Sequence, residues 1–555
     1  MRNVRYWVCL LLALMLIAAS CGDDDSGTAD DIGGDSGDSG GSGDAEDSGD
    51  SGDAGDATEC TAENVGGDLT FGTFAPTAGL DPVQITGGGT SGEIESVAVF
   101  DTLVRYDQAL NDFVPHMAES VEPNDDYSEW TVVLRPGISF SNGDALDATA
   151  VKASIERHTA EDSTSRLRGL VAGNVVAIEI VDDLTLSFEL AESWPKFPYL
   201  LSRPPGMITN EAVVADVGAE AFQLDPAGGG AGPYTVARFV PNEELVLEAR
   251  ADYWGGPVCI ETLRFIWVPG GQGTWEAFQS GEIQAGFLRE PAANADAIDA
   301  GVDVFRYLKN AGGIVVANNG ARGSDTPTSD VRLRRALQLA IDPVLFDDRV
   351  NDGESLPTSA VVHPDSILST GAEGLPYDPD AAAALVEEVK AEGEWDGSIR
   401  LYCHNAPSRA DWPIAMEAQL EAVGFDVEVK NDWDIHSMIK AVLIDGDFDL
   451  ACWGFNIEEE IPYNAMQLNF TTDNPSNFIG YSNAEMDQAI ADLKAADSLE
   501  AEQAAIADIQ EVWNETVPSP IYEALEEMII ADDSVRGLLS GSAASVVFSD
   551  AYLVG

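Results

Sequence analysis

From residue 398 to residue 453 the chain alternates between two hydrophobic periods, and no other feature restricts the fold as tightly. Apolar and β-branched runs at Ser398 to Cys403, Phe425 to Val429 and Phe448 to Trp453 are separated by helical stretches, the first of them Trp412 to Val423. The order strand, helix, strand, helix, strand predicts a parallel α/β unit with right-handed crossovers. In such a unit the first and third strands are commonly neighbours, and the crevice lies beyond their carboxyl ends. Cys403 and Cys452 fall at those ends, which predicts a disulfide between them. The loops starting at His404 and Trp453 then open into one crevice.

The rest of the chain is α/β as well, without an internal repeat. Short runs such as Leu69 to Phe71, Trp130 to Leu134, Val175 to Ile180, Leu245 to Leu247 and Leu263 to Trp267 read as strands. Asp330 to Ile341, Pro379 to Lys390, Asn483 to Ala496 and Leu499 to Val517 read as amphipathic helices, with Asp330 placed to cap the first. Cys60 and Cys259 each precede a strand, and they are predicted to form a second disulfide that clips the amino terminus to its lobe.

The first 59 residues belong to none of this. Arg2 and Arg5 precede an apolar run from Trp7 to Ala19, shorter than the roughly 20 residues a membrane-spanning helix needs, so residues 1–20 read as a cleaved secretory signal. Ala18-Ala19-Ser20-Cys21 resembles the lipobox of bacterial lipoproteins, with Ala18 where Leu is usual, and implies lipidation of Cys21. Residues 22–59 carry fourteen acids, no base and a single Ile, so they have nothing to bury and read as a solvated linker. A Gly/Ser-rich coil of this length spans roughly 35 Å.

Charge excludes one large class of partners. The chain holds 97 acidic against 28 basic residues, and only seven of the bases are lysines. A nucleic-acid surface needs Lys and Arg in excess, so no nucleic-acid partner is expected. An acid-rich, lysine-poor surface suits a salty medium that screens its self-repulsion. Catalysis finds no support either. The five histidines form no His-Glu-x-x-His motif and no clustered Cys/His metal spacing, and a Gly-x-Ser-x-Gly elbow is absent outside the linker. Neither enzyme activity nor a cofactor or bound metal is expected.

Longer motifs narrow the class. The most specific is Trp130-Thr-Val-Val-Leu-Arg-Pro-Gly-Ile-Ser-Phe-Ser-Asn-Gly-Asp144, within a stretch that runs on to Arg157; Val99 to Tyr106 precedes it, and Gly232-Pro233-Tyr234, Ala251 to Gly256, Ser280 to Ile283, Val331 to Leu337, Tyr377-Asp378-Pro379 and Gly480 to Asn483 follow along the chain. From about residue 67 onward the chain thereby resembles family 5 extracellular solute-binding proteins of bacterial ABC importers, the oligopeptide, dipeptide and nickel-binding class. The resemblance implies a two-lobed periplasmic-binding-protein fold of type II, a Venus flytrap, with an extra domain inserted in the amino-terminal lobe. Its expected divisions are 60–107 and 201–309 for the first lobe, 108–200 for the insertion, 310–520 for the second lobe and 521–555 back in the first.

The same resemblance implies a site. Peptide binders of the family carry a Trp and, three residues on, an Asp that pairs with the peptide ammonium; here Trp453 is followed by Asn456. An amide accepts the hydrogen bond without the charge, so Glu458 is a candidate substitute carboxylate, with a solvated acidic loop as the alternative. Arg409 is a candidate for holding a ligand carboxylate, and His404, Phe74 and Thr77 are further cleft candidates. Trp275 faces the cleft or packs. The implied protein is monomeric and anchored by lipid to the outer face of the cytoplasmic membrane. It captures a peptide-like small molecule and hands it to permease subunits with their ATPases. A non-peptide solute (oligosaccharide, opine-like compound or metal chelate) and a signalling receptor remain alternatives.

Overall fold

The computed structural model describes residues 60–61, 64–85, 92–405 and 410–554. The expected signal, Cys21, the expected linker and Arg409 therefore lie outside the described residues. Two long antiparallel strands, Asp303–Ala317 and Ile521–Ala531, form the spine. Around them runs one mixed sheet. The Ile521–Ala531 strand continues through Ala285–Leu288, Asp68–Thr73, Thr262–Trp267, Glu244–Ala249 and Tyr234–Val240. On the other side, Asp303–Ala317 continues through Leu450–Trp453, Ser398–His404 and Asp426–Trp433. Each half is a lobe, and the two spine strands cross between them. The fold is α/β and two-lobed.

Local sequence explains the helices around the second lobe. Asp330, Asp342, Asp378, Asn483 and Ser498 each accept a backbone N–H from the first turn of the helix they precede. The helices bury one stripe each: Leu333, Leu337 and Val386 join Leu401 and Trp412 on one face of the sheet, while Met486, Ile490, Ile509 and Trp513 join Val316 and Tyr402 on the other. In the first lobe, the helix Glu93–Phe100 and the segment Val546–Phe548 cover Phe71, Phe265 and Phe287. The inserted domain is a four-stranded antiparallel sheet in the order Ala118–Pro123, Glu129–Leu134, Thr185–Leu190, Val175–Asp182, with Trp130, Phe188, Phe197 and Trp194 in its own core.

Cys403 and Cys452 lie on neighbouring parallel strands and are bonded, as are Cys60 and Cys259. Tyr253 and Trp254 pack against one another and into the first lobe, with the Tyr253 hydroxyl donating to Asp101 at 2.6 Å. Trp275 is buried and stacked on Phe278, so it packs rather than facing the cleft. Trp412 is likewise a core residue.

The spine breaks register between Lys309 and Ile314. Ala311 there adopts a left-handed conformation, φ 47°, and Gly312 and Gly313 follow. A bulge of this kind bends a strand and marks a place where pairing is interrupted. The chain leaving Leu450–Trp453 crosses at the same level. Phe455 donates its N–H to Ala311 O at 3.0 Å, and a Cβ on Gly454 would stand 2.1 Å from Gly312 O. Backbone meets backbone here, so no side chain can rotate away. Gly454→Ala is expected to destabilise the protein by about 1–3 kcal/mol, seen as a lower urea midpoint with an unchanged slope.

Candidate functional site

The boundary between the lobes is lined by charges in strict alternation. Glu93 pairs with Arg203 at 2.7 Å, Arg203 with Glu458 at 3.8 Å, Glu458 with Lys309 at 3.0 Å, Lys309 with Glu527 at 3.3 Å, and Glu527 with Arg289 at 3.8 Å. Glu93, Arg203, Lys309 and Glu527 are all buried. Lys309 and Glu527 belong to the two spine strands, Glu93 and Arg289 to the first lobe, and Glu458 to the loop leaving the second. The ladder therefore joins both lobes across their hinge.

Alternation decides the ionisation states. Burial works against the Lys309 ammonium, yet Glu458 and Glu527 hold its pKa above the ordinary lysine value. Burial also opposes the Glu458 carboxylate, and Lys309 and Arg203 together still pull its pKa below the usual range. At Glu460 the same two cations, Lys309 and Arg203, are outweighed. Burial first, and Glu458 second, push its pKa up to about 8. It accepts the Ala543 N–H at 2.8 Å, a bond from the second-lobe loop to the carboxyl-terminal part of the first. Glu459 is also pushed up by burial, while accepting from Ser366 Oγ and the Ile367 N–H.

The candidates from sequence sit in different surroundings. Glu458 pairs with Lys309 and approaches Arg203, so it is not a solvated loop acid. Thr77 is buried with its hydroxyl on Glu95 Oε1 at 2.5 Å, which ties it to the helix Glu93–Phe100. Trp453 is half-buried beside Phe478, with ring centroids 5.9 Å apart, and Trp433 packs on the same core as a second half-buried indole. His404 stands at the carboxyl end of its strand, opposite Trp433. Asn456 is in a left-handed conformation, φ 51°, which Asn tolerates better than most residues, and its Oδ1 is buried without a hydrogen-bond partner among the described residues. Phe74 is half-buried, edge-on to Phe287 at 5.5 Å, with the Arg289 guanidinium carbon 5.7 Å above its ring.

Arg289, Arg203, Lys309 and Glu527 were not legible as site residues, although a signal existed for Arg289. It follows the short strand Ala285–Leu288 and precedes a helix that begins at Pro291. That is the carboxyl end of a strand parallel to Asp68–Thr73, where crevices open. Arg289 lines a hollow of about 280 Å³ between the helix Pro291–Ala300 of the first lobe and residues 353–356. Among the described residues no group of three or more His, Cys, Asp or Glu side chains is placed to hold a metal ion.

Because Glu460 binds its proton more tightly folded than unfolded, its contribution to stability is complete below the unfolded carboxyl pKa and is lost as pH rises through about 8. Glu460→Gln keeps an acceptor for Ala543 and removes the titration. The thermal midpoint of this variant, relative to the unsubstituted protein, is expected to rise steadily between pH 5 and pH 8.

Comparison with known proteins places this geometry. Residues 112–477 match the bacterial extracellular solute-binding proteins, family 5. The probable D,D-dipeptide-binding periplasmic protein DdpA of Escherichia coli strain K12 is 24% identical over 420 residues, covering 71% of this chain and 77% of that protein. Among solved structures, a dipeptide-binding protein from Pseudoalteromonas sp. SM9913 in complex with Met-Leu superposes with TM-score 0.70 at 17% identity, over 88% of this chain and 100% of its own. The Helicobacter pylori protein DppA, in complex with the peptide STSA, superposes with TM-score 0.70 at 18% identity, over 88% and 99%. With more than half of its length matched and the two-lobed fold in common, this chain belongs to the bacterial extracellular solute-binding proteins, family 5.

Proposed function

We propose that the chain captures a peptide or peptide-like organic molecule between its lobes and delivers it to the permease subunits and ATPases of an ABC importer. The observation that carries this reading is the crossing of the spine strands beside Asn456, which puts a candidate ligand contact on the hinge itself. Ligand held between two lobes stabilises the closed arrangement, and the closed arrangement is what a permease can distinguish from the open one. The relatives support the ligand class: one is named for D,D-dipeptides, and others were solved with Met-Leu and STSA. They are binding proteins rather than enzymes, which supports a role without catalysis.

In this reading Cys21 carries the lipid and residues 22–59 are the leash that keeps the receptor near its permease at the outer face of the membrane. Among the described residues no helix is long and apolar enough to cross a membrane. Trp453 serves as a wall against the ligand and Asn456 Oδ1 accepts a ligand N–H. Asn456 in place of an acid also favours a second reading, in which the ligand is a carboxylic acid of another kind without a free ammonium.

Titration of cargo-free protein with Met-Leu and with Ser-Thr-Ser-Ala tests the assignment, followed by intrinsic fluorescence. At least one is expected to bind and to change the emission. Trp453→Ala is expected to weaken that binding by about tenfold or more and to remove most of the emission change, from loss of an aromatic contact of about 1.4 kcal/mol. Unchanged affinity together with an unchanged emission response would reject the role given to Trp453.

A further inference from the structure

Away from the spine, two ion pairs join the inserted domain to the second lobe, and a lysine makes each of them. Lys494, on the helix Ala484–Ala495 of the second lobe, meets Glu192 of the inserted domain at 2.7 Å. Lys196 of the inserted domain meets Glu502, on the helix Leu499–Thr516, at 3.2 Å. The arrangement is reciprocal: each side presents one lysine and one glutamate to the other. Seven lysines stand among 97 acids in this chain, and two of them are used here. The charges along the spine differ in kind. Lys309 and Glu527 sit on paired strands that both lobes share, so they remain neighbours however the lobes swing. Glu192, Lys196, Lys494 and Glu502 sit on bodies that separate when a two-lobed protein opens about its hinge, so their pairs break with that motion.

The two pairs respond differently to salt. The Lys494 ammonium lies over the Tyr463 ring, 5.6 Å from its centroid, but the Glu192 side chain is 72% exposed. Lys494 holds the Glu192 carboxyl below its ordinary pKa, and a pair with one end in water is readily screened. Glu502 is only 4% exposed. Burial pushes its carboxyl up and Lys196 pulls it back, so the attraction acts where salt screens it less. Lys196 is also held in place by its neighbours. Trp194 and Phe197 are buried in the core of the inserted domain, and the Phe197 N–H donates to Trp194 O at 3.1 Å, closing a turn around Lys196. Ile461, from the loop leaving the second lobe, is buried in that same core and adds an apolar contact across the boundary.

We propose that the inserted domain is a clasp: Lys196–Glu502 and Glu192–Lys494 hold the lobes together in the cargo-free protein and part when it opens. Both lobes are acidic, so closure brings like charges together, and the clasp supplies attraction at the rim where the lobes meet. The exposed pair is the one that salt loosens, and the shielded pair persists. This device goes beyond solute capture and holds whatever the solute is.

Spin labels on Val176→Cys in the inserted domain and Ile414→Cys in the second lobe, positions 61% and 59% exposed, report the distance between the two bodies by double electron–electron resonance. The four cysteines of the folded part are disulfide-bonded and take no label. Without any solute, the labelled full chain is expected to be mainly closed. Lys494→Glu is expected to raise the open-to-closed ratio by about threefold to fivefold in low salt and to have little effect in about 1 M salt. Lys196→Glu is expected to raise it by about tenfold or more in both. Adding Glu192→Lys to Lys494→Glu is expected to restore the original ratio. A purely structural defect lowers the thermal midpoint without moving the labels apart, and exchanging the two charges does not repair it. A labelled chain that is mainly open, a ratio unchanged by the substitutions, or an exchanged pair no better than Lys494→Glu alone overturns the clasp. If Lys196→Glu does not fold, the Lys494 series decides the matter by itself. Binding of Met-Leu enters none of these outcomes, so they stand apart from the peptide reading.

Discussion

The antiparallel pairing of Asp303–Ala317 with Ile521–Ala531 is the constraint on which everything else rests. Each strand belongs to both lobes, so the two half-sheets cannot part without bending this ladder. The bulge at Ala311 to Gly313 localises the bend. It also localises the charge. Tyr307, Lys309 and Glu527 share one face of the spine by strand alternation, while Arg306 and Glu526 take the other. The face with Lys309 and Glu527 carries the middle of the ladder that links Glu93 to Arg289.

Concentrating cations there is a notable use of scarce residues. Of the seven lysines in the sequence, Lys309 lies on the spine, while Lys196 and Lys494 bridge the inserted domain and the second lobe, to Glu502 at 3.2 Å and Glu192 at 2.7 Å. Both lobes are strongly acidic, and two like-charged bodies resist being brought together. These three lysines sit where that resistance has to be overcome. Screening by salt lowers the repulsion and weakens the more exposed Lys494 pair together, so the balance between them depends on how buried each pair is.

Much of this could be read from the residues. The alternation between 398 and 453 gave the parallel unit, and the crossing of strand ends there gave Cys403 with Cys452. The Asp330 cap marked a helix start to within a residue, and the helical stretch from Asn483 began within a residue of the helix found. The spine was missed for a physical reason. From Tyr307 onward Asp303–Ala317 is buried on both faces, which erases the period-two pattern, and Ala311-Gly312-Gly313 looks like the end of an element. The ladder was missed because pairing is a tertiary property: Glu458 looks the same in sequence whether it meets water or Lys309. Thr77 follows the same rule, since nothing near it in sequence announces Glu95 as its partner.

Asn456 combines two duties that are usually separate. In the proposed function it meets the ligand, and its backbone turns through a left-handed conformation against Ala311, the left-handed residue of the spine bulge. A substitution there that improves affinity also changes how readily the lobes swing apart. Selection acting on that position cannot choose what is captured without also choosing how long it stays, so dwell time and preference evolve as one trait.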